Sequence, residues 1–141
     1  MNWSSGWPRC KRSSLPAAGV NGHSHIVGDR ALQRVAAVLG AGLRGLDCVG
    51  RWGGEEFAML LPHTGLAAAC AATERLRRDV ESQDWHALSP GLEITISAGV
   101  VATRPDETFD QAVARADTLL YRAKREGRHR VIGESVGDGA P

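Results

Sequence analysis

Arg44-Gly45-Leu46-Asp47-Cys48-Val49-Gly50-Arg51-Trp52-Gly53-Gly54-Glu55-Glu56-Phe57-Ala58-Met59-Leu60-Leu61-Pro62 is the stretch that decides how this chain is read. Two short runs, Asp47 to Arg51 and Glu56 to Leu61, flank Trp52-Gly53-Gly54-Glu55, and paired glycines can supply the positive φ angles of a tight turn. The spacing predicts a β-hairpin with Gly53-Gly54 at its tip, its second strand stopped by Pro62. Two glycines let a backbone come close to a ligand. Adjacent carboxylates point to opposite faces of a strand, so Glu55 and Glu56 can divide labour, one toward a metal and one inward. On these five residues alone, a turn followed by solvated glutamates stands as the alternative.

Working outward, Leu32, Val35, Ala36, Leu39 and Leu43 recur at helical spacing from Asp29 onward. Beyond the hairpin, Leu66, Ala69, Cys70, Thr73, Leu76 and Val80 share one face of a second helix, with a loop expected around Trp85 to Gly91. Ile94, Ile96, Ala98 and Val100 alternate with Thr95, Ser97 and Gly99, the pattern of a half-buried strand. Thr108 and Gln111 form a capping box before a helix whose inner face reads Phe109, Ala112, Val113, Ala116, Leu120 and Ala123, ending at Gly127. His129 to Ile132 then reads as a closing strand. This order predicts an α/β fold, an α+β sandwich with helices against a mixed sheet. Residues 1–23 show no apolar period and are expected to be irregular, and residues 134–141 to form a loose tail.

A chain of 141 residues and 15.0 kDa fits one domain. Seventeen Lys and Arg against sixteen Asp and Glu leave a formal charge of +1, which speaks against nucleic acid as a bulk partner. Cys10, Cys48 and Cys70 follow no ligand spacing and are odd in number, so they read as small buried thiols. No stretch approaches the roughly 18 apolar residues of a spanning helix, and a cytoplasmic location is expected.

Arg44-Gly45-Leu46-Asp47, five further residues, then Gly53-Gly54-Glu55-Glu56-Phe57 resembles the GGDEF family of diguanylate cyclase domains, in its GGEEF form with an upstream RxxD site. His25-Ile26-Val27-Gly28-Asp29 resembles the family's HxxGD segment, and Thr95 to Val100 its TISxGV strand. Ala116-Asp117, Leu120-Tyr121, Ala123-Lys124 and Gly127-Arg128 resemble its closing helix. The resemblance implies a palm-like mixed sheet of the nucleotide cyclase type. It also implies condensation of two GTP molecules to cyclic di-GMP in bacterial second-messenger signalling, with Mg²⁺ as cofactor or Mn²⁺ in its place. Two copies of the domain would meet face to face, so two-fold symmetry would be part of the reaction.

Carried over residue by residue, the resemblance makes Glu55 a metal ligand near the attacking hydroxyl and Glu56 a support for the same loop. Gly53 and Gly54 would lie against the nucleotide. Lys124 and Arg128, four residues apart on a helix face, would reach the terminal phosphates; a solvated helix end is the plain alternative. Asp29 matches the carboxylate that accepts from the guanine edge, or caps a helix, or both. The guanine-contacting Asn falls at Val20 by strict count and at Asn21 one position on. Arg44 and Asp47 match an inhibitory cyclic di-GMP site, with Arg75 as an additional arginine; a guanidinium fork suits guanine O6 and N7, and a surface ion pair is the other reading.

The family opens with a DxDxFK strand, and that motif is missing here. Counting back from His25 puts the acidic pair at Arg12 and Ser14, or at Ser13 and Leu15, and no Asp or Glu precedes Asp29. The expectation is a GGDEF domain over residues 24–133 without its first strand and its first metal carboxylate, joined to an unrelated or wrongly started N-terminus. A binding module that senses cyclic di-GMP through Arg44 and Asp47 without making it is the alternative function.

Overall fold

The structure, a computed structural model, describes residues 5–13 and 23–134. In chain order the elements are β1 (Ser5–Ser13), α1 (His23–Ala41), β2 (Cys48–Arg51), β3 (Glu56–Pro62), α2 (Leu66–Glu81), β4 (Thr95–Val101), α3 (Phe109–Arg125) and β5 (Val131–Gly133). They build one mixed sheet in the order β2-β3-β1-β4-β5. Only β4 and β5 run parallel, and the other neighbours are antiparallel.

The first strand is present, which corrects, for Ser5–Ser13, the expectation of an irregular segment over residues 1–23; residues 1–4 and 14–22 lie outside the described residues. β1 sits at the centre of the sheet, with Lys11 paired to Glu56 of β3 on one side and to Ser97 of β4 on the other. Local pattern could not reveal it. Pro8, which donates no N–H to a ladder, pairs with Val100 inside the strand, and the register is set by partners some 45 to 95 residues away in sequence.

Helices cover both faces. Phe57 and Met59 of β3 and Ile96 and Ala98 of β4 join Ala31, Val35, Leu39, Leu76 and Val80 of α1 and α2 in one core, which Trp85 closes from the following loop. Trp85 is buried, and its indole N–H donates to the Val80 carbonyl. Val101 and Ile132 pack with Ala112, Ala116, Leu119 and Ala123 of α3 on the opposite face. β4 is therefore buried on both sides and not half-buried: Ser97 and Gly99, on the side where water was expected, are buried together with Val101 on the face that α3 covers. Gly99 is what lets the helix down, since a Cβ there would stand 2.3 Å from the Ala116 carbonyl oxygen and 2.7 Å from the Leu120 nitrogen.

The Thr108 and Gln111 capping box forms as the spacing predicts, each side chain taking the other's backbone N–H. Phe109 departs from the expected inner face; it is exposed and its ring meets Trp52 edge to face at 5.4 Å, while Leu119 takes the buried place. Cys48 is exposed, contrary to the reading of buried thiols, because it lies on an edge strand. Glu134 is no part of a loose tail: its N–H donates to the Val100 carbonyl and its carboxylate pairs with Arg104 and Arg115. Residues 135–141 lie outside the described residues.

Candidate functional site

At one end of the sheet, β2 and β3 close through Trp52, whose N–H donates to the Glu56 carbonyl at 2.8 Å. The loop between them holds Gly53, Gly54 and Glu55, all exposed. Neither glycine takes a positive φ, so the expected two-residue Gly-Gly turn is replaced by a wider loop. Arg51 holds this loop: its guanidinium donates to the Gly54 carbonyl at 2.6 and 3.1 Å. Sequence reasoning missed that role, although an arginine ending the strand before the tip was the available signal. With Gly54 facing open space, the backbone of the tip is bare for a ligand to lie on.

Antiparallel pairing of Lys11 with Glu56 brings the end of β1 beside this tip. The cluster thus gathers Glu55 and Glu56 from the hairpin and the backbone of Lys11, Arg12 and Ser13 from β1. Between α1 and the hairpin an open cleft of about 160 Å³ is lined by Leu32, Gln33, Ala36, Val49, Arg51 and Phe57. Asp29 is exposed on α1, one turn before Leu32. The helix begins at His23, so Asp29 is an interior residue and not its N-cap.

Lys124 and Arg128 do not share a helix face. α3 ends at Arg125 in a Schellman motif, with the Arg128 N–H donating to the Ala123 carbonyl at 2.9 Å and the Gly127 N–H to the Lys124 carbonyl at 3.4 Å. Lys124 stays in the last helical turn, and Arg128 lies in the turn beyond. Gly127, Arg128 and His129 have φ of 116°, 63° and 50° in succession. Left-handed backbone costs a non-glycine residue roughly 1–2 kcal/mol, so contacts must hold Arg128 and His129 there. The His129 N–H donates to the hydroxyl of buried Ser97 at 3.1 Å, and its ring Nε2 lies 3.0 Å from a Glu81 carboxylate oxygen, off the line of a hydrogen bond.

Arg44 and Asp47 form a closed turn. The Asp47 N–H donates to the Arg44 carbonyl at 2.6 Å, and the Arg44 N–H donates to the Asp47 carboxylate at 3.0 Å. The carboxylate is thus tied to the backbone, while the Arg44 side chain stays exposed. Arg75 of α2 donates to the Gly42 carbonyl at 2.7 Å, which brings it to the same loop. Asn21 lies outside the described residues.

The GGDEF-domain family of diguanylate cyclases matches residues 21–130. The chain belongs to this family. It is 43% identical over 107 residues to diguanylate cyclase DgcP of Pseudomonas aeruginosa, covering 76% of this chain and 16% of that protein. It is 38% identical over 110 residues to diguanylate cyclase A of Treponema denticola, covering 77% of this chain and 30% of that protein. The chain thus spans less than a third of these curated relatives. Among solved structures, diguanylate cyclase SiaD of Pseudomonas aeruginosa, in complex with its activator SiaC, superposes with a TM-score of 0.83 at 37% identity, over 94% of this chain and 50% of that one. The coiled coil and GGDEF domain of DgcB from Caulobacter crescentus, in complex with c-di-GMP, gives 0.80 at 26% identity, over 93% and 70%.

Among the described residues, the acidic side chains at the tip do not fit a divalent cation by themselves. Among the described residues no three His, Cys, Asp or Glu side chains come together, and β1 brings no carboxylate to the tip. No acid precedes Asp29 in the sequence, so the first strand offers no carboxylate to stand beside Glu55. No helix of the described residues is long and apolar enough to cross a membrane.

Proposed function

We propose that this domain acts on guanine nucleotides in the cytoplasm of a bacterium as a diguanylate cyclase-type module, one half of a two-fold dimer. In the reaction two GTP molecules become cyclic di-GMP: each 3′-hydroxyl gives up its proton, its oxygen forms a bond to the other nucleotide's α-phosphorus, each α–β phosphoanhydride bond breaks, and two pyrophosphates leave with the protons released to them or to solvent. The observation that carries the reading is the exposed Gly53-Gly54-Glu55 tip, held by Arg51 at the Gly54 carbonyl, on a GGDEF fold. Glu55 lies near the attacking hydroxyl, Glu56 supports the loop, and Asp29 accepts from the guanine edge. Lys124 and Arg128 take the terminal phosphates, where cations favour the departing charge. A cation such as Mg²⁺ or Mn²⁺ would need a ligand besides Glu55 from outside the first strand.

A second reading, for a first strand that brings no carboxylate to the tip, is a receptor that binds cyclic di-GMP at the Arg44 to Asp47 loop beside Arg75 without making it. One experiment separates the two. The full chain is incubated with GTP and MgCl2 or MnCl2 and the nucleotides are resolved chromatographically, while a parallel sample is titrated calorimetrically with cyclic di-GMP. Cyclic di-GMP formation that disappears in Glu55→Gln supports the cyclase. Binding that disappears in Arg44→Ala, with no product from GTP, supports the receptor and overturns the first reading.

A further inference from the structure

The turn that carries Arg128 is held in an unusual shape by residues that no nucleotide role claims. Gly127 alone satisfies the Schellman motif, so a chain leaving α3 is free to return to extended backbone at residue 128. Instead Arg128 and His129 also stay left-handed. Two contacts of His129 fix it. Its N–H is taken by the Ser97 hydroxyl, itself fully buried under α3, and its ring sits against Glu81 at the end of α2. Three separate elements, β4, α2 and the end of α3, therefore converge on the residue next to Arg128. On its other side the Arg128 carbonyl accepts from the Arg130 guanidinium at 3.0 Å.

We propose that His129 is the positioning residue for Arg128: by holding the left-handed turn against Ser97 and Glu81, it sets the direction in which the Arg128 guanidinium meets a nucleotide's terminal phosphates. This rests on the phosphate role given to Arg128 above. The shape of the backbone is the agent, so a residue that tolerates left-handed φ should serve in its place. Asn is such a residue and Ala is not. Ser97 is the acceptor whose loss should loosen the same turn from the other side.

The test is calorimetric titration of the full chain with GTP and, separately, with GMP, which lacks the terminal phosphates. His129→Ala is expected to weaken GTP binding roughly tenfold, the loss of one charge-assisted hydrogen bond between Arg128 and a phosphate oxygen, and to leave GMP binding unchanged. His129→Asn should restore most of the affinity, and Ser97→Ala should weaken it in the same selective way. Adding His129→Ala to Arg128→Ala should weaken GTP no further than Arg128→Ala alone. GTP affinity of His129→Ala equal to the parent's, or independent losses in the double variant, overturns the proposal. Should His129→Ala not fold, equal affinities of Ser97→Ala and the parent overturn it. If the parent binds GTP no better than GMP, or Arg128→Ala has no effect, the phosphate role of Arg128 itself is wrong and the inference goes with it.

Discussion

Gly99→Ala tests whether the close approach of α3 to the sheet is required by this fold. The added Cβ would stand 2.3 Å from the Ala116 carbonyl oxygen, 2.7 Å from the Leu120 nitrogen and 3.0 Å from the Leu119 Cβ, where ordinary contact begins near 3.4 Å. Two of these are helix backbone, which cannot rotate away, so α3 must recede by about 1 Å or β4 must bow. Overpacking of a filled core costs typically 1–3 kcal/mol, and the rigid neighbours put this site near the upper end. For a domain of this size, about 3 kcal/mol corresponds to a melting temperature lower by roughly 10 °C. Thermal unfolding followed by circular dichroism is the assay, with GTP titration of the folded variant beside it, because α3 carries Lys124. A variant that melts within about 2 °C of the parent would refute the claim that Gly99 sets the height of the helix.

Other consequences follow from the polar contacts. The Arg115 hydrogen bond holds the Glu107 carboxyl below the usual glutamate range, so Glu107 stabilises the fold above that range and the contribution is lost as pH falls through its lowered value. The urea midpoint of Glu107→Gln should therefore fall below the parent's at pH 7, and the gap should close in acid. Thr108→Ala removes half of the capping box and should cost about 1 kcal/mol, read from the same urea curves without change in slope. Arg75→Ala releases the Gly42 carbonyl and should weaken cyclic di-GMP binding severalfold while leaving the thermal midpoint nearly unchanged, as expected of an exposed contact. Cys48 should react with a thiol reagent well before Cys70, whose thiol burial pushes up in pKa.

Much of the fold was legible because its elements carry local signals. The 3.6-residue spacing of Ala69, Thr73, Leu76 and Val80 marked the face of α2 that is buried, and Thr108 with Gln111 marked the start of α3. β4 read as one-sided because alternation cannot distinguish a polar face turned to water from Ser97 and Gly99 pressed under a helix. β1 was invisible for a different reason: its stability comes from pairing with β3 and β4, so nothing within Ser5 to Ser13 announces it. At the site, the motif spacing picked out Glu55, Arg44 and Asp47. Gly127 marked the helix end in the sequence, and placing Arg128 on a helix face with Lys124 overlooked that signal; the left-handed run through Arg128 and His129 carries no such mark. Nor could motif spacing find His129, Ser97 and Glu81, which meet only after three elements have packed.

The central place of β1 has a consequence for how the chain comes together in time. β2 with β3 and β4 with β5 are each a pair of neighbours, and only β1 joins the two pairs into one sheet. Its partners are made later, β3 after some 40 further residues and β4 after some 80. During synthesis the strand must wait with the hydrogen-bonding groups of both its edges open, exposed to wrong pairings that a finished edge strand would risk on one side only. Sequence-distant closure of this kind is slow. The sheet should therefore assemble late and as a single event, with α1 and α2 formed before the strand that ties the two halves finds both its neighbours.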